Sequence, residues 1–165
     1  MKKLFLPLLL LPVIGHAQVI DSTATMDIYG CQVYTLKAFI KGTSGLDGMH
    51  KKMIGKKTKT VYVSKQPHTT AMPEVLEGMA VKYINIAENA AMLQKEVQNK
   101  TGAVVYLSPL SLGNDTCQLW LMPISFKKEG NVVEAEYNER GCEVFFYFNK
   151  GGTNKLGYAK TNCPQ

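Results

Sequence analysis

The sequence predicts an α+β fold: one antiparallel-rich sheet ending in a four-stranded C-terminal meander, with one principal helix packed on one face. Three observations predict it. Residues 117–126, 132–137, 142–148 and 156–161 are apolar runs rich in Val, Phe, Tyr, Trp and Leu, and Val133-Glu134-Ala135-Glu136-Tyr137 alternates with the period of a strand. The segments between them collect Gly, Asn and charge, the chemistry of chain reversal. Upstream, 81–107 reads as strand, helix, strand, and no repeat, low-complexity tract or linker divides the chain.

Taken in order, residues 1–17 read as a secretory signal. Lys2 and Lys3 precede an apolar stretch at 4–14 that is broken by Pro7 and Pro12, and Gly15-His16-Ala17 puts small residues before a cut. The leader as a whole resembles bacterial export signals. Its apolar run falls short of the ~20 residues that a membrane-spanning helix needs, and no later segment is long and apolar enough to cross. The expected mature chain is a single globular domain, 18–165, in the periplasm or outside the cell. Removal of the two leader lysines lowers the net charge from +6 to +4.

Residues 18–40 are ambiguous between strand and helix. Residues 41–59 carry Gly42, Gly45, Gly48 and Gly55 among six lysines and read as a long basic loop, with one helical turn around 48–54. Residues 60–63 form a short strand. For 79–100 two readings compete. One is a single amphipathic helix through Met72, Leu76, Met79, Tyr83, Ile86, Ala90, Leu93 and Val97. The other, preferred, is a strand at 81–86 and a helix at 87–100, capped by Asn85 with Glu88 three residues on and stopped by Gly102. A buried-type strand follows at 103–107. Pro123 has no amide proton to give a ladder, so its strand should be bulged or at an edge there.

All four cysteines lie in the mature part, and an even count in an oxidising compartment reads as two disulfides. If 150–155 is a regular hairpin turn, Phe148 faces Gly157, Phe146 faces Ala159 and Cys142 faces Cys163, within disulfide reach. That pairing leaves Cys31 with Cys117. The nearest two cysteines are 21 positions apart, unlike the close pairs zinc favours, so no metal site is expected.

Catalytic groups are few. His50 and His68 are the mature chain's only histidines, and each reads as a solvated loop residue. No nucleophile elbow, zinc-protease motif or phosphate-cradling glycine loop occurs, and no catalytic or cofactor-binding residue is assigned. Glu134 and Glu136 read as the wet face of a strand. The sequons at Asn99 and Asn114 are treated as coincidence. Trp120, Met122, Ile124 and Phe126 share one strand face, while 144–148 is apolar on both faces. One helix would leave part of that surface for a partner.

The compositional anomaly is segment 37–65, with eight lysines and one acid, Asp47. Its candidate anion-binding residues are Lys51, Lys52, Lys56, Lys57 and Lys59. Three functions follow, in order. The first is a non-catalytic exported module that binds another macromolecule, as an inhibitor, immunity-type or accessory protein does. The second is a polyanion or envelope-surface binder working through 37–65. The third is a small hydrolase with an unrecognised site. The expected partner is a protein or an anionic envelope component. Nucleic acid ranks last, because the segment has no Arg and no stacking aromatic before Tyr62.

Overall fold

A computed structural model describes residues 28–69, 72–113, 116–137, 140–148 and 156–164. The expected leader at 1–17 and the expected turn at 150–155 lie outside the described residues. The fold is α+β, with three helices and a mostly antiparallel open sheet. Its elements are α1 (Ile28–Lys41), α2 (Asp47–Met53), β1 (Thr60–Ser64), β2 (Val75–Leu76), β3 (Met79–Ile84), α3 (Ile86–Gln98), β4 (Gly102–Leu107), β5 (Ser111–Leu112), β6 (Thr116–Glu129), β7 (Val132–Tyr137), β8 (Cys142–Phe148) and β9 (Leu156–Asn162).

The sheet runs β2-β3-β1-β4-β6-β8-β9, with β5 and β7 also paired to β6. β1 is the centre of a parallel trio: β3 lies on one side, Val61 beside Val81, and β4 on the other, Val61 beside Ala103. The chain passes from β3 through α3 to β4 and leaves β1 between them. Strand alternation then gives the sheet two unlike faces. Val61, Val63, Val105, Leu107, Leu119, Leu121, Val144 and Phe146 point to one face, where Leu36 and Phe39 of α1 and Leu46 and Met49 at α2 complete the core. Tyr62, Val104 and Ile124 point to the other, against Ile86 and Leu93 of α3.

α1 resolves residues 28–40 of the ambiguous N-terminal stretch as a helix, and 18–27 lie outside the described residues. It ends in a Schellman motif: Gly42 adopts φ +64, its amide donates to the Phe39 carbonyl, and Thr43 donates to the Ala38 carbonyl. The basic stretch folds one short helix, α2. The split reading of 79–100 holds, with Asn85 at the N-cap. The cap itself differs from the expected box: Asn85 Nδ2 donates to Glu88 Oε1 at 2.7 Å, and its side chain bonds no helix amide. The stop differs too. Lys100, not Gly102, occupies the left-handed position at φ +58, with Lys100 donating to Val97 and Thr101 to Glu96. Gly102 instead opens β4, where a Cβ would come within 2.7 Å of the Tyr62 ring.

The four C-terminal strands form, but β7 and β8 pair with successive halves of β6, at 124–129 and 116–121. Pro123 lies inside the sheet. The β4–β6 ladder runs from Leu107 beside Leu121 to Val105 beside Pro123 and ends there, so the two strands part beyond the proline. In the last hairpin Glu143 faces Asn162 and Phe145 faces Lys160, in the expected register. A register shift follows, and Phe146 then faces Tyr158 and not Ala159, while Tyr147 faces Gly157. The Cys142–Cys163 disulfide sits on the unshifted side and is formed, with Cα atoms 4.3 Å apart. The Cys31–Cys117 bridge is not formed; both cysteines are buried thiols. They are close enough to hydrogen-bond, and burial pushes the Cys117 thiol up while its bond with Cys31 opposes this.

Candidate anion-binding site

The five candidate lysines lie together at one end of the sheet, and two cavities there define what they can hold. α2 carries Lys51 and Lys52. The turn after it carries Lys56, Lys57 and Lys59, and a buried threonine fixes that turn. Thr58 Oγ1 accepts from the Gly55 amide and donates to the Lys100 carbonyl, both at 3.0 Å, while the Lys59 amide donates to the Thr101 carbonyl. These bonds tie the basic turn to the end of α3, so Lys100 joins the same end.

The first cavity has a volume of about 300 Å³. It opens where β4 and β6 part at Pro123. Its apolar wall is Met53, Ile54, Val97, Ala103, Pro123 and Ile124, and the exposed Lys51, Lys52 and Lys100 flank it. The second is an open trough of about 600 Å³, lined by Lys56, Lys57, Lys59 and Lys82 with Thr60, Tyr62, Glu96 and Thr101. Lys82 comes from β3. Seven lysines thus meet two carboxylates. Asp47 pairs with Lys51 at 3.6 Å, and Glu96 Oε2 takes a 2.6 Å hydrogen bond from Thr101 Oγ1. Burial, and then the Glu96 charge, push the Tyr62 phenol up, so it stays neutral beside the trough.

The rest of the basic segment lies elsewhere. Lys37 and Lys41 share Glu77, at 3.0 and 3.8 Å, and the Lys37 hydrogen bond holds the Glu77 carboxyl below its usual range. Lys65 follows the far end of β1. Both histidines depart from the expected solvated loops. His50 lies in α2, where Nδ1 meets the Phe39 carbonyl at 3.0 Å, and a Cβ at Gly42 would touch its ring. His68 Nε2 meets the Leu107 carbonyl at 3.0 Å, with its ring edge-on to Tyr106. Among the described residues no three His, Cys, Asp or Glu side chains gather as a metal site.

A second surface lies on the α3 side of the sheet, along β6, β8 and β9. Trp120, Glu143 and Asn162 form one cross-strand row, and Gln118, Phe145 and Lys160 form the next. Trp120 is 37% exposed, and the Lys160 ammonium stands 5.0 Å from the Phe145 ring centre. Trp120 and Phe145 are the apolar members of these otherwise polar rows.

No protein-family model matches this chain, and neither a curated protein nor a solved structure matches it. Among the described residues no helix is long and apolar enough to cross a membrane.

Sequence reasoning found five of the seven lysines. It missed Lys82 and Lys100, which become neighbours of the basic turn only because β1 lies between β3 and β4.

Proposed function

We propose that the protein is a non-catalytic exported module that holds an anionic macromolecule of the cell envelope, such as an acidic polysaccharide, at its lysine-rich end. The C-terminal strands and α3 act as the rigid frame. The observation that carries this reading is the convergence of Lys82 and Lys100, from outside the basic segment, on the end that already holds Lys51, Lys52, Lys56, Lys57 and Lys59. A flexible loop of solvated lysines has no reason to gather cations from β3 and from the turn after α3, because like charges brought together repel one another. The export signal and the Cys142–Cys163 disulfide support a site of action outside the cytoplasm.

Lys is a flexible point charge without the bidentate fork of Arg, so binding should be strong in sign and broad in geometry. The test is titration with dextran sulfate, a defined polyanion. Affinity should fall steeply between ~0.05 and ~0.5 M salt, as the Debye length shrinks from ~14 to ~4 Å. Lys82→Gln with Lys100→Gln should weaken binding as the Lys51, Lys52, Lys56 and Lys57 to Gln variant does, with thermal stability nearly unchanged. Salt-insensitive binding, or a double variant that binds like the parent, would sink the reading.

The cross-strand rows at Trp120 and Phe145 favour a second reading, a protein partner seated on that open face. Trp120→Ala would abolish such a complex and leave polyanion binding intact.

A further inference from the structure

We propose that the cavity at the Pro123 fork binds the tail of a single-tailed amphipathic anion, a molecule with a phosphate or carboxylate head and a short linear apolar chain. This rests on the reading of the lysine-rich end as an anion site and specifies what that end selects. The argument starts from the unlike halves of the cavity. A site for a bare polyanion needs only cations, as the trough around Lys56, Lys57, Lys59 and Lys82 provides. The cavity between α2, α3, β4 and β6 has six apolar side chains behind its lysines. Ile124 is 2% exposed and Ala103 1% exposed, so these two belong to the core, while Met53, Ile54, Val97 and Pro123 are half-buried. Its cause is local: Pro123 ends the β4–β6 ladder, the strands part, and apolar side chains line the gap.

The volume sets the size of the occupant. About 300 Å³ holds roughly ten water-sized groups at ~30 Å³ each. Lys52, Met53 and Pro123 also wall a neighbouring cavity of about 350 Å³ that reaches the Cys142–Cys163 disulfide, which gives a longer chain room to continue. Charge sets the head group. Lys51, Lys52 and Lys100 flank the opening, and only Lys51 has a carboxylate partner among the described residues. The site accepts one chain with its head in water, which fits a soluble amphiphile and not a bilayer surface.

Gly55 makes the proposal testable. It lines the cavity, its backbone is not left-handed, and a Cβ built there meets nothing within 4 Å. Gly55→Phe should therefore fold and obstruct the cavity without touching a lysine. Ethyl, butyl, hexyl, octyl and decyl phosphate are titrated below their micelle concentrations, alongside inorganic phosphate, dextran sulfate and anionic phospholipid vesicles. Affinity should rise with chain length, by up to about fourfold per buried methylene, and level off once the cavity is filled. Octyl phosphate should bind Gly55→Phe at least tenfold more weakly, with dextran sulfate unaffected, whereas Lys52→Gln with Lys100→Gln should weaken both. If Gly55→Phe fails to fold by thermal melt, Met53→Gln, at a half-buried residue of the apolar wall, carries the same comparison. Octyl phosphate binding no tighter than inorganic phosphate would overturn the inference while dextran sulfate binding left the polyanion reading standing. Chain-length dependence without dextran sulfate binding would do the reverse. Vesicle binding that Gly55→Phe does not alter, with no response to free alkyl phosphates, would also overturn it.

Discussion

The two faces of the sheet are built from alternate residues of the same strands, yet they do different work. The face under α1 and α2 is closed: Leu36, Phe39, Leu107, Leu119, Leu121 and Phe146 are all fully buried in one continuous cluster. The face under α3 has a short buried cluster around Leu93 and Ile124. Beyond that cluster lie the lysine trough on one side and the Trp120 and Phe145 rows on the other. Stability is concentrated on the closed face; the lysine trough and the Trp120 and Phe145 rows lie where one helix is too small to cover the other. The cavity at Pro123 opens at the border between the two, with Ala103 and Met53 from the first and Ile124 and Val97 from the second.

Four measurements would break or sharpen this contrast. Phe39→Ala on the closed face should cost about 4 kcal/mol in denaturant unfolding, since the site is fully enclosed and cannot collapse. A loss below about 1 kcal/mol would mean that the closed face does not dominate stability. Replacing Cys142 and Cys163 together by Ser should cost about 3 kcal/mol, the chain-entropy value for a loop of this length, and leave anion binding unchanged. Leu93→Ala under α3 should cost about 2 kcal/mol, the low end for a buried leucine, because its smaller cluster can relax. If Leu93→Ala proves as costly as Phe39→Ala, the asymmetry is wrong.

The smallest effect has the opposite sign. Lys100 holds φ +58 without being glycine, a conformation that costs an L-residue roughly 1 kcal/mol. Lys100→Gly should raise stability by about 1 kcal/mol and weaken dextran sulfate binding. A stabilised variant with unchanged binding would show that the lysine is there for no reason connected with anions.

Much of this was legible in the sequence, for identifiable reasons. The four C-terminal strands were readable because their periods are short and their turns are marked. The Cys142–Cys163 pair was readable because the hairpin sum is right on its side of the register shift; on the other side it fails by one residue. α1 was not readable. Its buried stripe includes Gln32 and Thr35, which hide the helical period, yet Gln32 Nε2 donates to the Ser108 carbonyl and Thr35 Oγ1 to the Cys31 carbonyl. Polar residues satisfied within a core look like surface residues in a sequence. The site was half legible for a topological reason: composition identifies a run of lysines, but only strand order reveals that residues 82 and 100 belong with it.

The position of β1 has a consequence for the order in which the chain can acquire its shape. The strand is complete at Ser64, but both of its neighbours come later, at Met79–Ile84 and Gly102–Leu107. A chain growing from its N-terminus therefore holds its future central strand with two unsatisfied edges until residue 84 exists and with one until residue 107, and the closed face waits longer, for Leu119, Val144 and Phe146. Pairings this distant in sequence form slowly, because the loop entropy is lost before the contacts repay it. The first third of the chain therefore lacks most of its native contacts until the last strands of the sheet have been made.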